Sequence, residues 1–227
     1  MTEQKAYPGR TAERLAGLVS IVIAVLAVAT ILTSLDVIPD YSNIIEDAEY
    51  LGENLSRLST NTHLWLANAI LIILFGPLVL LSLIRHDRII PVICAFTVSG
   101  TGIIYLLFSV YGFNLIELLE EFTESADQVR QYLAYSSMNA ILIRQKLQLI
   151  CFTTAGISAV LVGLYILLSR KLPLFSGWLI ICGGVLYGIF GWFSIDNLLF
   201  SAGRLIFIIS LMIIGSYLLL KGHNPDK

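Results

Sequence analysis

Polar and apolar positions in this chain fall into long blocks. Five runs, 15–35, 64–84, 89–116, 147–169 and 172–195, contain no Asp, Glu, Lys, Arg or His. Each is long enough to cross a bilayer, which takes about 20 apolar residues as a helix. A sixth, 205–220, is shorter, and reaches spanning length if it starts at Leu198 and tolerates Arg204. The runs lack the two-residue alternation of barrel strands, so helices are expected.

Between the blocks the pattern changes to one-sided periodicity. Ile44, Ala48, Leu51, Leu55 and Leu58 recur at spacings of four and three, which marks one apolar face of a helix. Leu115, Leu118, Leu119, Phe122, Ala126, Val129 and Leu133 form a second such stripe. Asn43 with Glu46, and Asn114 with Glu117, have the spacing of capping boxes. The expected architecture is all-α: a polytopic membrane protein, one domain over 1–227. It has a six-helix bundle with spans at about 15–35, 64–84, 89–111, 147–169, 172–193 and 198–220. External amphipathic segments at 43–59 and 114–146 lie along the outer membrane face or cap the bundle.

Charge sets the orientation. Only 13% of residues are charged and 57% are hydrophobic, against about a quarter charged in soluble domains. With the N-terminus inside, the cytoplasmic side carries Lys5, Arg10, Arg14, Arg85, Arg88, Arg170, Lys171, Lys221 and Lys227, with four acids. The outer side carries five basic residues and twelve acids. The sides sum to +5 and −7, the net −2 of the chain. Excess Lys and Arg mark the cytoplasmic loops, so a multi-pass protein of the cell membrane with both termini cytoplasmic is expected. Arg85, Arg88, Arg170 and Lys171 are its topology anchors. In RHDR (85–88) a catalytic His86–Asp87 pair is the disfavoured alternative to a polar turn. The first run reads as a retained helix, because its apolar core is too long for a signal peptide and no A-x-A site follows.

Candidate chemistry is sparse. Cys94, Cys151 and Cys182 lie in three different runs without ligand spacing. His63, His86 and His223 sit at helix ends or in loops, unlike the paired ligands of a membrane haem, and no HExxH occurs. No carboxylate interrupts an apolar run, which speaks against proton-coupled transport or an intramembrane aspartyl protease. No cofactor, metal or nucleic-acid partner is expected. The acidic stripe Glu117, Glu121, Glu124 reads as a solvated face, and Asn54-Leu55-Ser56 is a glycosylation sequon on the outer side.

Polar groups recur at one depth, near the outer helix ends: Thr30, Thr33, Ser34, Asn68, Tyr105, Ser109, Gln148, Thr153, Thr154, Tyr187 and Arg204. Of these, Asn68, Tyr105, Gln148, Thr153, Thr154, Tyr187 and Arg204 are the candidate ligand-binding set for a pocket opening outward. The competing reading is interface chemistry, with Trp65, Tyr105, Tyr187 and Trp192 in an aromatic belt and Arg204 snorkelling to the headgroups. Small residues line helix faces at Gly17, Ser20, Ala24 and Ala27, at Ala155, Ala159 and Gly163, and at Gly184 and Gly188. Such faces let helix backbones approach in lipid; the last pair is also a possible homodimer seam. Pro77 after Gly76 is expected to kink its helix. A shift of 82 residues aligns Arg88, Pro91, Gly102, Tyr105 and Phe108 with Arg170, Pro173, Gly184, Tyr187 and Phe190, a possible parallel duplication of a hairpin.

RLAGLVSIVI (14–23), HLWLANAILIILFGPLVLL (63–81) and SRKLPLFSGWLIICGGVLYGIFGW (169–192) resemble the six-helix prokaryotic membrane proteins of domain of unknown function four-three-eight-six. The resemblance implies architecture and a prokaryotic membrane; it carries no catalytic residues, and the long acidic second loop departs from it. The expected role is a non-catalytic one at the outer side, binding a small apolar or amphipathic ligand or a partner protein, with membrane lipid around it. A carrier or channel for an uncharged solute is the alternative, and a lipid-modifying enzyme a weaker one.

Overall fold

The structure, a computed structural model, describes residues 8–35, 43–83, 89–193 and 198–221. These form helices throughout: α1 (Pro8–Leu32), α2 (Ile44–Glu53), α3 (Leu55–Leu83), α4 (Ile89–Glu124), α5 (Asp127–Ser169), α6 (Leu174–Phe190) and α7 (Leu198–Lys221). The anchors Arg85 and Arg88, with His86, Asp87 and Asp196, lie outside the described residues. Five helices are long and apolar enough to cross a membrane, and α6 is a shorter apolar helix of 17 residues, the lower limit for a span. Large apolar side chains stand exposed around the bundle, among them Phe96, Leu168, Trp178 and Leu205. A soluble protein does not present such a surface. The chain is a multi-pass all-α membrane protein.

Six helices close into a ring in the order α1, α3, α4, α5, α6, α7 and back to α1. The seams between neighbours are built from small residues. Gly17 of α1 and Gly215 of α7 face each other so closely that a Cβ on either would stand 2.7 Å from the other's carbonyl oxygen. Ser20 Oγ donates to Leu211 O across the same seam at 2.8 Å. On α5, Gly156 meets Gly184 and Gly188 of α6. The two glycines considered for a homodimer are thus occupied by α5 of the same chain.

Pro77 lies inside α3 and cannot bond the carbonyl four residues back. That carbonyl, Ile73 O, instead accepts from Ser99 Oγ of α4 at 3.0 Å. Near the same end of the ring Arg170 ends α5 in the left-handed conformation (φ 51°). Lys171 then donates from Nζ to Ser82 O, in the last turn of α3, at 3.0 Å. A cation at a helix C-terminus satisfies a carbonyl without an intrahelical partner.

The external segments differ from the expectation. Residues 114–146 are not separate helices. They continue α4 and α5, which break only at Ser125–Ala126. At 1.5 Å per residue α4 is about 54 Å long, far more than the ~30 Å of hydrocarbon, so the α4–α5 hairpin projects beyond the membrane. Asn114 is consequently interior to α4 and caps nothing. The first segment splits at Asn54: α2 covers its first part and α3 begins at Leu55. Asn43 makes no side-chain cap; only its backbone oxygen accepts, from Asp47 N at 3.0 Å. The apolar stripes do meet as the spacing suggests. Ile44, Ala48 and Leu51 of α2 pack on Leu115, Leu119 and Phe122 of α4 and Leu133 and Met138 of α5. Arg130 of α5 pairs with Glu49 of α2 at 2.9 Å and lies over the Phe122 ring. The result is a helical cap on one mouth of the ring.

A candidate ligand cavity along the bundle axis

Because the ring has no central helix, its axis is filled only where side chains reach it. In the half beneath the α2 cap they leave a cavity of about 370 Å³, within the range of about 300–1,000 Å³ for small-molecule sites. Each ring helix contributes a stripe at the three-and-four spacing that keeps side chains on one helix face. On α3 these are Leu58, Asn61, Trp65, Asn68, Ile72 and Phe75; on α5, Ile141, Arg144, Gln145, Gln148, Phe152, Ala155 and Val162. Thr101, Tyr105 and Phe108 face it from α4, Tyr187 from α6, and Arg204, Phe207 and Leu211 from α7.

Five of the seven candidate residues thus converge: Asn68, Tyr105, Gln148, Tyr187 and Arg204. Thr153 and Thr154 have the right depth and the wrong face. Thr153 Oγ1 accepts from Trp192 Nε1 at 2.6 Å, and Thr154 Oγ1 donates to Ile150 O of its own helix. Trp65, Tyr105 and Tyr187 are buried, so they form a wall inside the bundle and no aromatic belt. Trp65 packs on Tyr105 and Phe108 with centroids 4.9 and 4.7 Å apart. Phe152 packs on Tyr187 and Phe200, 4.9 Å from each. Tyr105 and Tyr187, equivalent under the 82-residue shift, both line the cavity. Gly102 and Gly184 also play matching parts, each meeting the preceding helix of its hairpin. Phe108 lines the cavity and Phe190 does not.

Two important residues, Asn61 and Arg144, were absent from the candidates. Arg144 Nη2 donates to Asn61 Oδ1 at 3.1 Å. Asn61 Nδ2 in turn donates to Thr30 O and Thr33 Oγ1 near the end of α1, at 2.9 and 3.0 Å. Three ring helices are thereby tied at the mouth. Arg57 reinforces the tie by donating from Nη2 to Ser34 O at 2.8 Å. The Arg144 guanidinium stacks over Phe108 at 4.6 Å. Phe108 is about 28 Å along α4 from Ile89, so Arg144, stacked on it, lies about one hydrocarbon thickness from the start of α4. The signal was in the spacing: stepping back from Gln148 by four and seven residues along α5 gives Arg144 and Ile141.

Polarity is graded along the cavity. Near its mouth are the arginines, amides and hydroxyls. Deeper, Thr101 and Ser158 bond each other at 2.9 Å, and the rest of the wall is apolar. Phe75, Val162, Ile180 and Leu211 form the floor; beyond them lies a void of only about 20 Å³. Among the described residues no Asp, Glu, His, Lys or Cys lines the cavity, and no group of side chains could hold a metal ion. The exposed Glu117, Glu121 and Glu124 stay on the outside of the cap. No family model, curated protein or solved structure matches the chain.

Proposed function

We propose that this protein is a non-catalytic membrane binder that takes a small apolar or amphipathic ligand into the axial cavity from the outer side. The observation that carries this reading is the cavity itself: all seven helices contribute to it, its mouth is polar, its depth is apolar and its inner end is filled. The absence of acid–base or metal groups from its described wall supports binding over chemistry. The filled floor supports a blind site over a channel. The charge distribution supports cytoplasmic termini and an outward mouth, and the resemblance to domain of unknown function four-three-eight-six fits a prokaryotic cell membrane.

Ala27 lines the cavity from α1 without joining a seam glycine. Ala27→Phe should fill the space, with binding of a cavity-directed apolar fluorophore reduced at least about tenfold, the loss of roughly 1.4 kcal/mol, and thermal stability little changed. Unchanged binding would overturn the cavity as the site. Orientation is checked by labelling Glu121→Cys with a membrane-impermeant thiol reagent on intact cells; protection there and labelling only after lysis would reverse it.

A further inference from the structure

The charge of the cavity is one-sided. Two guanidiniums, of Arg144 and Arg204, line it, and no carboxylate does among the described residues. Arg130 and Glu49 form an ion pair in the cap, and neither lines the cavity. Arg144 has one hydrogen bond, to a neutral amide, and its Nε is buried without an acceptor. Arg204 lies over the Phe200 ring at 5.4 Å. Ring faces and an amide ease such charges but do not neutralise them, and a cation withdrawn from water is costly without a counter-charge. A third group is also incomplete. Asn68 is 3% exposed, faces the same space, and its Oδ1 has no hydrogen-bond partner. Below this level the polar side chains satisfy one another, as Thr101 and Ser158 do.

Building on the binding role proposed above, we infer that the ligand is a single-chain amphiphile with an acidic headgroup, a carboxylate or a phosphate monoester. The headgroup sits between Arg144 and Arg204. Guanidinium is suited to either anion, since its fork of donors matches their oxygens. In its singly ionised form a phosphate monoester keeps one O–H, which a carboxylate lacks and which Asn68 Oδ1 is placed to accept. The tail runs down the apolar wall past Ile72 to the floor at Phe75. From Asn61 to Phe75 the helix rises about 21 Å, so the cavity is long and narrow, the shape of one acyl chain.

The test uses Trp65, which lines the cavity, in a Trp178→Phe, Trp192→Phe background of the full chain in phosphatidylcholine nanodiscs. Quenching by dibrominated stearic acid is compared with quenching by its methyl ester, and hexadecyl phosphate and inorganic phosphate are added as competitors. The acid should quench at a concentration at least about tenfold below the ester, the value of one charge-assisted hydrogen bond. Arg204→Gln and Arg144→Gln should each erase that preference, while Arg144→Lys keeps part of it. If Arg144→Gln fails to fold, because it also holds Asn61, Arg204→Gln carries the test. Competition by hexadecyl phosphate beyond that by stearate identifies the monoester as the better headgroup, and Asn68→Ala should remove its advantage. Equal quenching by acid and ester would overturn the acidic headgroup while leaving the binding role standing; no quenching by either would overturn both. Displacement of the bound acid by inorganic phosphate alone at equal concentration would mark a small-anion site and overturn the amphiphile.

Discussion

At the end of the ring away from the cap, inner in the orientation proposed above, Ile23, Phe75, Val79, Ile166, Leu172, Ile214 and Leu218 meet on the axis and pack into one cluster. At the outer end, Trp65, Tyr105, Phe108, Phe152, Tyr187 and Phe200 are equally buried, yet the axis beside them is hollow. The helices and their seams are common to both halves; what differs is where the side chains direct their surface. The inner aliphatic groups interdigitate across the axis. The outer rings stack on their neighbours along the wall, at 4.7–5.3 Å between centroids, and so support the walls without filling the space. Polar groups at the mouth add a second reason, because a headgroup or water is better suited to them than an apolar plug.

Truncating the floor should break this contrast most strongly. Phe75→Ala removes a side chain shared by the floor and the inner cluster and joins the two voids. It should cost about 3–5 kcal/mol, read as a lowered midpoint of denaturation in detergent, while the acid preference of the mouth persists. Ala27→Phe is expected to show the opposite pattern, binding lost and stability kept. A flux of small solutes through Phe75→Ala in proteoliposomes, absent from the wild type, would show that the floor alone closes the axis. A smaller effect is expected at the α3–α4 seam. Ser99→Ala leaves Ile73 O without a donor beside Pro77 and should cost about 1–3 kcal/mol. The smallest lies in the cap, where Glu49→Gln removes a half-exposed ion pair worth about 0.2–1 kcal/mol. A loss at Glu49 equal to that at Phe75 would show that the cap, and not the inner cluster, holds the ring together.

Parts of the site were legible along the chain and parts were not. Asn68, Tyr105, Gln148, Tyr187 and Arg204 stand out because a polar side chain in an apolar run is conspicuous. Thr153 and Thr154 are equally conspicuous but face elsewhere: with apolar residues all around a spanning helix, periodicity does not separate lipid side from axis. Arg144 and Asn61 were hidden by the opposite error. Lys146 ends the charge-free run, so everything before Leu147 reads as loop, whereas α5 continues unbroken and brings Arg144 into phase with Gln148. The capping spacing at Asn114 misled for a related reason. A short motif does not reveal whether a helix has already begun upstream.

The sequence by itself determined the apolar runs, the helical class and the charge asymmetry of the loops. Each follows from local requirements: in lipid, a backbone must satisfy its hydrogen bonds within the helix, and apolar side chains must cover it for about 20 residues. Only the tertiary structure decided that the helices close into a ring, that the small-residue faces join neighbours within the chain, and that two arginines far apart in sequence share one cavity. Those outcomes depend on the fit of side chains between helices, and no single helix contains that information.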